Sequence, residues 1–195
     1  MDLDSGTALT SSAPGGSSPS RPVLPPLPRG FKPLRPRDLT SAKVLAYGDH
    51  PITRRRPRGS TGAQKAGLRY QRQVCDELRR IFGRESVLVG PWVEYRTEGR
   101  LCYCQPDAIV HVGDRSYVFE VKLSTTTDAW WQLRHLYGPI AQHLYPQGRI
   151  ILVNVVKSHY PEIRFPEDTW TFEIGLETLK ERSSIERIVM WRRGC

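Results

Sequence analysis

The stretch PDAIVHVGDRSYVFEVKL, from Pro106 to Leu123, sets the architecture of the chain. Two runs rich in β-branched and aromatic residues flank Gly113-Asp114, a dipeptide suited to a tight turn, so they pair as an antiparallel hairpin. Side chains alternate along a strand. Tyr117, Phe119, Val121 and Leu123 then form one wholly apolar face, and Val118, Glu120 and Lys122 the other. Asp107 lies six residues before the turn and Glu120 six after it, so the pairing brings two carboxylates side by side. Like charges that close are unfavourable unless a cation sits between them. Hard oxygen ligands suit Mg²⁺. Lys122, two residues along the same face, is placed to orient or activate an attacking water. Metal, carboxylates and ammonium together make the apparatus of phosphodiester hydrolysis. Each half taken alone reads as ordinary structure: a strand showing a Glu and a Lys to solvent, and a Pro-Asp bend whose carboxylate caps an amide. The chemistry comes from their conjunction.

Working outward, Lys65 to Phe82 places Gly67, Tyr70, Val74, Cys75, Leu78, Ile81 and Phe82 on one face of a helix, with Gln71 in its midst. Gly83 is a stop signal. Ser86 to Arg96 reads as a strand interrupted by Gly90-Pro91, and Leu101 to Val112 as a second strand containing Pro106-Asp107. Ser116 to Leu123 is the third. Asp128 to Tyr145 reads as a helix that Gly138-Pro139 kinks or splits. Arg149 to Val156 (RIILVNVV) is a strand covered on both faces. Residues 168–174 and 185–191 read as short strands around a helix at 175–183.

Pro106-Asp107, a spacer, then Glu120-Val121-Lys122, in an order of helix, three strands, helix and strand, resembles the PD-(D/E)XK nuclease superfamily over roughly residues 65–156. The resemblance implies an α/β fold with a restriction-endonuclease-like αβββαβ core, a mixed central sheet flanked by helices. It implies Mg²⁺, with Mn²⁺ as a substitute, bound by Asp107 and Glu120, with the Val121 carbonyl as a further ligand and Lys122 serving the water. Many members place a Glu on the first helix; its counterpart here is Gln71, which implies an auxiliary contact to water or metal and weaker cation binding. Some exonuclease-like members carry a Gln and then a Tyr on the second helix, where this chain has Gln132 and Tyr137. The function implied is a metal-dependent nuclease hydrolysing DNA, in recombination, repair or phage DNA processing. The alternative is a catalytically inactive nucleic-acid-binding or assembly module on the same fold.

The chain has 195 residues and a formal net charge of +9. A polyanionic partner, nucleic acid first, suits that charge, and the resemblance implies DNA rather than RNA. Residues 1–62 hold ten Lys/Arg against four Asp/Glu, and ten of the sixteen prolines, so this basic Pro/Ser/Gly-rich arm is expected to be disordered ahead of a domain at 63–195. Arg54, Arg55, Arg56 and Arg58 form a dense cluster suited to gripping phosphates, or a solvated linker. Trp131 is a candidate for stacking on a base, or an ordinary surface tryptophan. The four cysteines fit neither zinc nor iron–sulfur spacing. No stretch resembles a signal peptide or a membrane span, so a cytoplasmic protein without a membrane partner is expected. Oligomeric state is not legible.

Overall fold

A computed structural model of the chain describes residues 27–46, 61–158, 170–173, 179 and 187–191. In chain order the elements are β1 (Leu39–Val44), α1 (Gly62–Phe82), β2 (Val87–Val89), β3 (Val93–Thr97), β4 (Arg100–Cys104), β5 (Ala108–Val112) and β6 (Arg115–Ser124). There follow α2 (Thr127–Gln132), a π turn (Leu133–Tyr137), α3 (Gly138–Leu144), β7 (Arg149–Ser158), β8 (Trp170–Glu173) and β9 (Arg187–Trp191). The fold is mixed α/β. The main sheet has the order β2-β5-β6-β7-β9-β8. Its β2-β5-β6 half is antiparallel, and its β6-β7-β9-β8 half is parallel.

The first helix begins three residues earlier than periodicity suggests. Thr61 and Gln64 form a capping box: the Gln64 N–H donates to the Thr61 hydroxyl and the Thr61 N–H to the Gln64 side chain. Its buried stripe, Tyr70, Val74, Cys75 and Leu78, packs on Tyr117, Phe119, Val121 and the alternate residues of β7 from Ile151 to Val155. Val118 and Leu152 face the other way, against Leu133, Tyr137, Ile140 and Ala141. β7 lies between β6 and β9 with residues 151–156 all buried, as its apolar run requires.

Two expected strands are each divided. Ser86 to Arg96 splits at Gly90-Pro91 into β2 and β3, and Leu101 to Val112 splits at Pro106-Asp107 into β4 and β5. Neither proline has an N–H to give a ladder, and Gly90 takes a left-handed φ of 53°. The chain therefore leaves the main sheet after Val89 and returns at Ala108, its direct partner. The excursion between them, β3 and β4, forms a second sheet of order β1-β3-β4.

Within the arm expected to be disordered over 1–62, that second sheet corrects the expectation at Leu39–Val44. β1 lies within it and pairs with β3 along Leu39–Val44, and Leu34 and Leu39 are buried with Val93 against the π turn and α3. The docking has a backbone cause. Pro139 cannot donate to the His135 carbonyl as a helix would require. The turn widens so that the Gly138 N–H reaches the Leu133 carbonyl, and the freed His135 carbonyl accepts the Leu34 N–H at 2.8 Å. Arg54, Arg55, Arg56 and Arg58 lie outside the described residues, as does the helix expected at 175–183 apart from Leu179, which is buried beneath α1's face of the sheet. No helix among the described residues is long and apolar enough to cross a membrane.

Candidate active site

The β5–β6 hairpin turns at Gly113 and pairs Ala108 with Phe119. One step further out, the same register sets Asp107 opposite Glu120, and the Asp107 N–H still donates to the Phe119 carbonyl at 3.2 Å. Pro106 stops the ladder there. The Asp107 carboxylate takes the place of the missing strand: its Oδ2 accepts the Val121 N–H at 2.6 Å. Its Oδ1 accepts from the Gln71 amide, also at 2.6 Å. The Asp107 carbonyl accepts the Gly90 N–H at 2.8 Å, so main chain and side chain are both pinned. Gln71 thus occupies the middle of α1's inward face and spends its amide on the site.

Glu120 is 4% exposed, on the face of β6 turned toward α2 and the π turn. A lone carboxylate at that depth costs several kcal/mol. Lys122 lies two residues along the same face, and its Nζ meets Glu120 Oε1 at 2.6 Å. The ammonium end of this pair is the more open, with a third of the Lys122 side chain exposed. One cation does not balance two carboxylates. Burial, and then the charge of Asp107, push Glu120 up to about 7 from an ordinary 4.5, with Lys122 pulling against them. Burial also raises Asp107, opposed by the Val121 N–H and by Lys122. The protein alone is therefore short of positive charge at this point. Among the described residues no third His, Cys, Asp or Glu joins the two carboxylates.

Several groups frame this pair. The Tyr137 hydroxyl donates to the Gln105 carbonyl at 3.3 Å, and burial, then the charge of Glu120, hold the phenol well above its usual range. Gln132 and Tyr137 are five apart, which on a regular helix sends them to different sides; the π turn, with its i to i+5 spacing, returns them toward one side. The Cys75 thiol lies 3.8 Å from the Asp107 carbonyl, and burial pushes it up to about 11, which disfavours the thiolate.

One expected contributor is elsewhere. Trp131 is only 7% exposed, its ring edge-on to Trp130 at 5.0 Å, tilted against His135 at 4.6 Å and against Phe31 at 6.3 Å. The docked arm covers it, so it has no free face to offer a base. Glu94 of β3 belongs to the second sheet, where it pairs with Lys43 at 3.2 Å and accepts from the Tyr103 hydroxyl. One neighbour was not singled out from sequence: Asn154, the direct partner of Glu120 across the β6–β7 ladder. Its signal was present as the single polar residue inside the run from Ile150 to Val156.

No family model matches the chain, and no curated protein or solved structure does.

Proposed function

We propose that the chain is a Mg²⁺-dependent nuclease on a restriction-endonuclease-like core, hydrolysing DNA phosphodiesters at Asp107, Glu120 and Lys122. The observation that carries the reading is the pairing of two largely buried carboxylates at one sheet end, short of positive charge, with an ammonium 2.6 Å from one of them. The oxygen donors suit a hard divalent cation: Asp107 and Glu120 would hold it, and the Val121 carbonyl is a further candidate ligand. Bound there, the ion would supply charge stabilisation at the phosphoryl oxygens. Gln71 and the Val121 N–H fix the Asp107 carboxylate in one rotamer. Lys122, more exposed than Glu120, would hold the attacking water against the phosphate. A cleft of 430 Å³ lined by Gln71, Arg72, Cys75, Asp76 and Arg79 opens beside Gln71; Asp76 pairs with Arg79 at 3.7 Å, so the two arginines leave a net of one positive charge for a phosphate backbone.

The helix carboxylate that many members of the resembled superfamily use is replaced by Gln71, whose amide fills one lone pair of Asp107. This favours a second reading, a nucleic-acid-binding module that does not cut. Incubation of supercoiled and linear DNA with the native protein and with Asp107→Ala, in Mg²⁺ and in EDTA, separates the two. Cutting in Mg²⁺ that both EDTA and Asp107→Ala abolish supports the nuclease. Binding without cutting in any divalent cation supports the module.

A further inference from the structure

Asn154 is 1% exposed, and neither its side-chain oxygen nor its side-chain nitrogen has a hydrogen-bonding partner. A buried amide left in this state costs about 1–3 kcal/mol, and native structures rarely keep one without a use. Its position limits what that use can be. Across the parallel β6–β7 ladder Asn154 is the direct partner of Glu120. Paired residues in a ladder point to the same face. The flanking pairs agree: Phe119 and Val153 both pack toward α1, while Val118 and Leu152 both pack toward the π turn and α3. The Asn154 amide therefore stands beside the Glu120 carboxylate, on the side opposite to β5 and Asp107. Glu120 Oε1 is held by Lys122. The Oε1 of Gln132, at the end of α2, is likewise buried without a partner. Neither leucine nor valine at position 154 would disturb the apolar run, so the fold does not ask for an amide there.

We propose that Asn154 is a positioning residue of the site: its amide binds a water that also ligates the cation held by Asp107 and Glu120. The inference rests on the metal-binding reading above. An amide can both donate to Glu120 and accept from a metal-bound water, so it fixes both without adding a third negative charge. It also accounts for a site with two carboxylates: neutral oxygen donors from Asn154 and Gln71 complete the surroundings that a carboxylate would otherwise supply.

The test is Mn²⁺ binding to the full chain by calorimetry, with thermal melting of the same samples in EDTA. Two variants move the binding in opposite directions. Asn154→Leu is near-isosteric and removes the unpartnered amide. It is expected to melt no lower than the native protein in EDTA and to bind Mn²⁺ roughly ten-fold or more weakly, as losses of outer-shell metal partners do. Asn154→Asp puts a third carboxylate beside Glu120 and is expected to tighten Mn²⁺ binding while lowering the melting temperature in EDTA. A purely structural amide predicts the reverse for Leu, a lower melting temperature with unchanged affinity, and that result overturns the proposal. Unchanged affinity in Asn154→Asp overturns it as well, even if the Leu variant does not fold. A native protein that binds no Mn²⁺ removes the metal-binding reading itself, and this inference with it. Native binding that neither variant alters removes Asn154 alone.

Discussion

Gln71→Glu installs a carboxylate where the native amide donates to Asp107 Oδ1 at 2.6 Å, and its cost can be worked from the geometry. The native contact is a hydrogen bond to a charged acceptor, worth about 1.5–3 kcal/mol. With Glu ionised, two like charges about 4 Å apart repel by about 4 kcal/mol at an effective dielectric near 20. The alternative is proton uptake. Holding a group of ordinary pKa near 4.3 protonated at pH 7.5 costs about 4 kcal/mol at 1.36 kcal/mol per unit. Whichever route is cheaper, the variant loses on the order of 3–4 kcal/mol without a divalent cation. For a chain of this size that lowers the melting temperature by roughly 6–16 °C. A cation between the carboxylates reverses the sign of the contact. At a concentration a hundred times its dissociation constant, it returns about 2.7 kcal/mol to the native state. The assay is differential scanning fluorimetry of native and variant protein at pH 7.5, in EDTA and across a Mn²⁺ series. The variant should melt well below the native protein in EDTA and gain more from Mn²⁺ than the native protein does. Equal melting temperatures in EDTA, or equal Mn²⁺ responses, would refute the placement of Gln71 against a metal-binding carboxylate.

Other consequences follow from the same geometry. Glu120 has a folded-state pKa raised from 4.5 to about 7, so the folded state binds its proton more tightly than the unfolded chain. The resulting stability is fully present below pH 4.5 and lost as pH rises through 7, by at most about 3 kcal/mol. Melting temperatures in EDTA should fall across that window; Glu120→Gln should flatten the fall, and an equal slope in both proteins counts against the buried charge deficit. Leu39→Ala, on the docked arm, should cost about 2 kcal/mol through the cavity it leaves beside Val93, seen as a lower urea midpoint; an unchanged midpoint means the arm is not packed. Arg72→Ala and Arg79→Ala, in the cleft beside Gln71, should each reduce the salt dependence of DNA binding by about one unit in log–log slope if each meets one phosphate. Anisotropy titrations from low to moderate salt read this directly, and parallel slopes would exclude the cleft as a phosphate track.

The hairpin and the placement of Asp107 opposite Glu120 were legible because they rest on local rules. Gly113-Asp114 fixes the turn, and the turn fixes the register that sets Asp107 opposite Glu120. The inward position of Gln71 follows from a helix wheel. What could not be read depends on contacts distant in sequence. Leu39–Val44 (LTSAKV) carries too few apolar residues to announce a strand, and it becomes one because β3 offers an edge and Leu34 finds the carbonyl that Pro139 frees. Gly90-Pro91 and Pro106 were visible as interruptions, but not the fact that the chain between them builds a second sheet. Trp131 was a candidate for stacking on a base; Phe31, Trp130 and His135 pack around its ring and it is buried. Asn154 needed the parallel register with β6 before its isolation among apolar residues acquired a meaning.

The most direct test of the central claim is cleavage of a supercoiled plasmid in Mg²⁺ by the native protein and by Lys122→Ala, run beside a Mn²⁺ titration of both. The account predicts that the native protein cuts, and that Lys122→Ala still binds Mn²⁺ but loses cutting by two orders of magnitude or more, about 2.7 kcal/mol of transition-state stabilisation. A Lys122→Ala protein that cuts at the native rate, or a native protein that binds Mn²⁺ and DNA but never cuts, would contradict it.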